Sequence, residues 1–434
     1  MTKQEILLAH QSFLFPAVFH YFREPMVLTR AKDQYVWDAD GKRYLDFFGG
    51  IVTISVGHCN EQVTRKVHEQ LDRLQHVSSV FATEPMAALA ARIASLTPEG
   101  RLTKSFFTNS GTEANETAIL AARCYTGASE IVALRHSYHG RSSLAMTLSG
   151  QAPWRSFGNP QAGVVHAHSP YCYRCALGLT YPSCELRCAR DVEELIRTTT
   201  SGRVAAFIAE PIQGIGGFIT PPREYFAIVA EIVRRHGGIF ISDEVQTAWG
   251  RTGNKWFGIE HYGVVPEVIV SAKGLANGLP VGLTVATPEV ADAMRGPTIS
   301  TFGGNPVAAT AARAVIDFIA ENNLLANAAE TGAYLRARLE ELKEKHPLIG
   351  DVRGMGLMQA LELVRDRQTK EPADSETLQL MEAARENGLL LGKGGLYGNV
   401  IRISPPLNIG KSDVDEFARL LDASLASVLP VAKV

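Results

Sequence analysis

Three short apolar runs along the chain each end in a charged group. Val204-Ala-Ala-Phe-Ile-Ala-Glu210 is the first, Gly238-Ile-Phe-Ile-Ser-Asp243 the second and Val268-Ile-Val-Ser-Ala-Lys273 the third. Continuous apolar runs without alternation predict strands buried on both faces, as in a parallel sheet. The charged ends lie 33 and 30 residues apart, about one strand–helix–strand unit. Within 223–236, apolar residues at Tyr225, Phe226, Ile228, Val229, Ile232 and Val233 predict the intervening helix. The pattern is that of an α/β protein with parallel strands delivering Glu210, Asp243 and Lys273 at their carboxyl ends. Open α/β sheets bind ligands at that edge. A lone lysine at a strand end ordinarily snorkels along the sheet edge. Three charged ends in register favour a site, with Lys273 as an amine made nucleophilic by desolvation.

The remaining pattern fills in around this core. Residues 1–30 read as a short helix and an irregular segment broken at Pro16 and Pro25. A hairpin follows from Tyr35 to Phe47, turning at Asp40-Gly41. Amphipathic helices are predicted over 61–77 and 84–96, long helices over 307–321 and about 326–345, and another near 375–387. A smaller lobe begins at Gly350, and Asn399-Val-Ile-Arg402-Ile-Ser-Pro-Pro406 is a strand stopped by two prolines. Arg402 on it either exits to solvent or faces the cleft, where its planar fork suits a carboxylate.

With 434 residues, 46% of them hydrophobic and 20% charged, the chain can bury a large core and form two or three lobes. A net charge of −2 argues against nucleic acid or an anionic membrane as partner. No apolar run reaches the length of a membrane span, and Met1-Thr-Lys-Gln-Glu reads as a plain cytoplasmic start.

Further chemistry lies in four stretches. Lys104-Ser-Phe-Phe-Thr-Asn-Ser110-Gly111-Thr112-Glu113 runs from a strand into a helix, with capping-box spacing between Ser110 and Glu113. It reads as a well-capped helix or as a phosphate site at a helix N-terminus. In His136-Ser-Tyr138-His139-Gly140 the histidine spacing argues against a metal, while Tyr138 could stack on a flat ring or pack a loop. Cys172, Cys175, Cys184 and Cys188 have the paired spacing of a small metal knuckle, against which stands a loop stabilised by its thiols. Ser300-Thr301-Phe302-Gly303-Gly304-Asn305-Pro306 is a loop entering a helix.

Taken together, SGTEANE, SYHG, EPIQG, SDEVQT, SAKGLANG, STFGGNP and IRISPPL resemble the class III aminotransferases of pyridoxal-phosphate fold type I, from one end of the chain to the other. YLDFFGGIVTISVGHC, EPIQGIGG and GDVRGMGLM are most similar to the alanine–glyoxylate aminotransferase 2 branch. The resemblance implies a large domain, 61–320, with a mostly parallel seven-stranded sheet. It also implies a small α+β domain built from 1–60 and 321–434. The cofactor would be pyridoxal 5'-phosphate. Lys273 would bind its aldehyde and shuttle the proton, and Asp243 would keep the pyridine nitrogen protonated. Val245 and Tyr138 would hold the two ring faces, with His139 beside them. Gln246 would bond the ring oxygen. Ser110, Gly111 and Thr112 would take the phosphate, joined by Thr301 of a neighbouring subunit. Glu210 would orient the Asp243–Lys273 side. Arg402 would clamp the substrate carboxylate, with Tyr21 facing the substrate. No metal is implied.

The implied activity is ping-pong transfer from alanine, a β-amino acid or an ω-amine to glyoxylate or pyruvate. The implied assembly is a homodimer with the site at its interface, alone or paired into a tetramer. Alternatives are a pyridoxal-phosphate lyase of the phospholyase kind, a racemase or mutase, a 4-aminobutyrate/2-oxoglutarate-type aminotransferase, and a non-catalytic cofactor-binding regulator. Two departures stand out. Ornithine- and 4-aminobutyrate-type relatives carry a glutamate where this chain has Ile215. Their Thr-Gly-Phe-Gly-Arg reads Thr247-Ala-Trp249-Gly-Arg251 here.

Overall fold

A computed structural model describes residues 1–156 and 161–429; residues 430–434 of the C-terminal unit lie outside it. The large sheet contains β4 (Lys104–Thr108), β5 (Ile131–Leu134), β6 (Val164–Ala167), β7 (Ala206–Ala209), β8 (Ile239–Asp243), β9 (Val268–Ser271) and β10 (Gly282–Ala286). The N-terminal segment supplies β1 (Leu28–Lys32), β2 (Tyr35–Asp38) and β3 (Arg43–Asp46). Beyond residue 340 come β11 (Ile349–Met355), β12 (Met358–Asp366), β13 (Glu371–Pro372), β14 (Leu389–Leu390), β15 (Gly392–Gly394) and β16 (Val400–Ile403).

The seven-stranded sheet runs β4-β10-β9-β8-β7-β5-β6. Its strands are parallel except β10, which is antiparallel to both its neighbours. The absence of alternation in β7, β8 and β9 is explained by helices on both faces. Phe207, Phe240 and Ile269 pack on one side with Tyr225, Phe226, Val229 and Val233 of the helix Tyr225–Arg235. Ala206, Ile208, Ile241, Val268 and Val270 pack on the other with Ala114, Ala118, Ile119 and Ala122 of the helix Gly111–Thr126. Every position in these strands is therefore apolar or small until the carboxyl end.

The N- and C-terminal segments pack together. Leu45 of β3 pairs in parallel with Leu389 of β14, and Phe47 stacks on Phe417 of the helix Lys411–Ala426 at 4.3 Å between centroids. The second small sheet runs β11-β12-β16-β15, with Ala360 of β12 opposite Arg402 of β16.

Three local expectations change. The hairpin of Tyr35–Phe47 forms, but β1 extends it into the segment read as irregular; β1 is an exposed edge with no apolar alternation to betray it. The helix expected over 61–77 ends at Leu71, because the amides of Gln70 and Asn305 take the Leu74 and Gln75 carbonyls outside a helix. Ser110 caps its helix by accepting from Glu113 N, but the Glu113 carboxylate reaches Asn109 N at 2.7 Å, not Ser110 N. Among the described residues no helix is long and apolar enough to cross a membrane.

Candidate active site

The strand register sets the site. Ala209 of β7 pairs with Ser242 of β8, so Glu210 and Asp243 leave the sheet at the same level. Lys273 does not end β9, which stops at Ser271. It opens a short 3₁₀ turn, Lys273–Ala276, in the left-handed region at φ +43°. A non-glycine residue holds that conformation only where its surroundings enforce it. Trp249 is part of that enforcement. Its indole Nε1 donates to Ser271 Oγ at 2.8 Å from a buried position, so the ring braces β9 from behind and does not shape the cavity.

Ser110, Gly111, Thr112, Tyr138, His139, Glu210, Asp243, Val245, Gln246 and Lys273 surround one cavity of about 350 Å3. Burial lowers the Lys273 amine to about 8, Asp243 and Glu210 opposing and Arg402 adding to the shift. A fraction of the amine is therefore uncharged near neutrality, as a nucleophile requires. Asp243 is held from behind. Its Oδ2 meets His139 Nδ1 at 2.7 Å and accepts from Asn115 Nδ2 at 2.9 Å, and its Oδ1 accepts from Val245 N at 3.1 Å. Burial pushes the His139 imidazole down, but the bond to Asp243, with the charges of Asp243 and Glu210, lifts it above its ordinary value. His139 thus lines the cavity and also steadies the aspartate from behind.

Glu210 acts on backbone. It accepts from Tyr138 N at 2.9 Å and Gly214 N at 2.8 Å, joining two loops at the mouth. Burial raises its carboxyl, with His139 opposing. Gln246 lies against Gly214, where a Cβ would come within 2.4 Å of its amide. Thr301 lies outside this cavity, exposed on the chain's own surface.

Arg402 does not exit to solvent. It is fully buried, with Nε donating to Lys393 O at 3.1 Å and Nη1 without a partner. Its guanidinium lies 5.2 Å from the Phe48 ring and 5.7 Å from the Phe218 ring. Burial lowers it, and Tyr21 counters through charge and a hydrogen bond. Tyr21 and Tyr138 open onto a second cavity of about 860 Å3, lined also by Phe19, Arg141 and Trp154.

These residues fit pyridoxal phosphate. The first-turn N–H groups of the helix at Gly111 have no partner within the helix and suit a dianion. The side-chain oxygens of Gln246 and Asn115 are buried without partners, as expected where a polar ligand completes the bonding. Tyr138, Val245, Asp243 and Lys273 supply a ring face, an apolar face, a counter-charge and an amine around the same space.

The sequence alone did not single out Asn115, which bonds Asp243. Asn115 had a signal: it is the one amide among the small apolar residues on the buried face of its helix. The four loop cysteines are unpaired, and among the described residues no three His, Cys, Asp or Glu side chains gather to hold a metal ion.

Gly140, at φ +127°, has a virtual Cβ 2.4 Å from Thr112 Oγ1. Gly140→Ala is expected to cost about 1–3 kcal/mol. It should also weaken cofactor retention, read as a lower melting temperature and a higher dissociation constant on apo-protein titration.

A family model described as Aminotransferase class-III matches residues 20–425. An Arabidopsis thaliana protein named alanine–glyoxylate aminotransferase 2 homolog 2, mitochondrial, is 44% identical over 98% of this chain and 87% of its own. A Thermococcus litoralis protein named leucine/methionine racemase is 39% identical over 99% of this chain and 96% of its own. Among solved structures, an (S)-enantioselective omega-transaminase from Thermomicrobium roseum superposes with a TM-score of 0.91. It is 36% identical over 99% of this chain and 100% of its own.

Proposed function

Because the chain belongs to the class III aminotransferases, which use pyridoxal phosphate, we propose that it moves an amino group from alanine, a β-amino acid or an ω-amine to glyoxylate or pyruvate. Transfer proceeds in two half-reactions on a homodimer. The carrying observation is the incompletely bonded, buried guanidinium of Arg402. Its Nη1 has no partner, and Ile215 stands where a masking glutamate would be. A buried guanidinium with an unsatisfied donor and no carboxylate partner is costly until a carboxylate completes it. A permanently open carboxylate clamp suits short amino and keto acids in both half-reactions, and the Arabidopsis relative is named for that chemistry.

The cofactor, when bound, supplies the aldehyde that exchanges amines and a ring that accepts electrons. The chain supplies the rest. Lys273 Nζ holds the cofactor between turnovers and moves the proton taken from the donor's Cα. Asp243, steadied by His139 and Asn115, keeps a proton on the ring nitrogen. Tyr138 and Val245 confine the ring, Gln246 takes its oxygen, and Ser110, Gly111 and Thr112 hold the phosphate. Arg402 and Tyr21 orient the carboxylate.

The dimer is supported by exposed apolar residues, Ile51, Val80, Phe81, Ile299 and Phe302. Thr301, within that stretch, would complete the partner's phosphate site. The test is a single-donor experiment. Holoenzyme mixed with alanine alone should lose its visible cofactor band within one turnover, without ammonia release, and regain it on adding glyoxylate or pyruvate. Continuous ammonia release with the band intact would make the protein a lyase. Interconversion of enantiomers without a keto acid would give it the activity for which the Thermococcus relative is named.

A further inference from the structure

Arg353 lies in the GDVRGMGLM stretch, to which the proposed chemistry gives no part. Its guanidinium is nearly buried and bonded on every side. Nε donates to Gly217 O at 2.8 Å, Nη1 to Glu362 and Asp351 carboxylates at 2.7 Å each, and Nη2 to Tyr171 OH at 3.3 Å. Glu362 is itself buried. Beyond Arg353 it accepts from the Tyr171 hydroxyl and Arg174 Nε. Burial alone would raise the Glu362 carboxyl, but Arg353, Tyr171 and Arg174 hold it below its ordinary value.

Both ends of this bridge lead to Arg402. Gly217 precedes Phe218, a buried residue in the left-handed region at φ +52° whose ring lies under the Arg402 guanidinium. Glu362 sits on β12 opposite Val400, and Ala360, two residues away, sits opposite Arg402 itself. Val400 also packs on Gly217, where a Cβ would lie 2.9 Å from its Cγ2. Arg353 thus ties the loop carrying the ring under Arg402 to the hairpin that registers the strand carrying Arg402.

The geometry points to Arg353 as a positioning residue for the substrate carboxylate: its bridge from Gly217 to Glu362 sets the Phe218 ring against the Arg402 fork. This rests on the reading of Arg402 as the carboxylate clamp. A buried, fully bonded guanidinium offers a rigid link. A lysine keeps the charge, but its three donors radiate from a single nitrogen and cannot reach all the partners that Nε, Nη1 and Nη2 span, so Arg353→Lys should loosen the platform without removing the clamp.

The experiment compares Arg353→Lys, Glu362→Gln and Arg402→Ala holoenzymes. Arg353→Lys is expected to raise the KM for the keto acid about tenfold, with kcat within about twofold. The apo-protein's dissociation constant for pyridoxal phosphate should also stay within about twofold, since no cofactor contact changes. Glu362→Gln, which keeps the shape, should move KM the same way by less, and serves if the first variant does not fold. A purely structural role would lower the melting temperature and scale kcat and cofactor affinity together, leaving KM in place. That outcome overturns the inference, as would an unchanged KM in both variants. If Arg402→Ala itself leaves the keto-acid KM unchanged, the clamp reading fails instead.

Discussion

Replacing Lys273 by alanine is expected to lower turnover by about 10,000-fold or more, because nucleophile and proton carrier are lost together. The site offers no substitute amine. Among the described residues, Lys273 alone combines a lowered pKa with a place in the cavity facing Asp243. The same substitution should not unfold the protein. In the apo form the folded-state amine titrates at about 8, below its ordinary 10.5, so the folded chain carries an unfavourable buried cation at neutral pH. That cost is fully present below about 8 and disappears as pH rises towards 10.5. The apo Lys273→Ala variant should therefore melt no lower than its parent at pH 7, and any advantage should fade as pH rises through that window. Calorimetry across pH, beside turnover, separates the chemical role from packing. A variant with intact turnover would remove the lysine from the mechanism.

Asp243→Asn carries the next largest effect. The substitution keeps the side chain's shape and most of its bonding. It removes the negative charge that lifts the His139 imidazole and that, in the proposed mechanism, keeps a proton on the ring nitrogen. Preorganised charge at the reacting system typically contributes two to three orders of magnitude, so kcat should fall about 1,000-fold with the melting temperature nearly unchanged. A loss under tenfold would mean that the ring's electron demand is met elsewhere.

The three charged strand ends were legible because continuous apolar runs leave few alternatives to buried parallel strands. Each of Glu210, Asp243 and Lys273 breaks such a run. Arg402 was legible for the same reason, though its direction was not, since a strand's period tells only which face a residue takes. Asn115 escaped notice because its partners, Asp243 and His139, come from two different strand ends. A helix-internal asparagine declares nothing until the sheet is in place. Trp249 was visible only as a departure from a motif. That it braces Ser271 follows from a turn at φ +62°, a conformation a tryptophan seldom takes. The bridge at Arg353 unites residues 171, 217, 353 and 362, and no local pattern brings these together.

The inserted antiparallel strand has a consequence for synthesis. β4 leads directly into the Ser110–Thr112 turn, yet among the described residues its only neighbour in the sheet is β10, and Thr108 pairs with Gly282. Contacts of such long sequence separation form late and slow a chain's folding. While the nascent polypeptide is shorter than about 286 residues, β4 has no strand partner, β9 presents an open apolar edge, and the turn is held only through its helix packing on β8 and β9. The cofactor pocket is thus among the last parts of the large domain to close, after the ribosome has delivered strands on both sides of it. Truncated chains ending before β10 should aggregate through that edge before they ever bind a ligand.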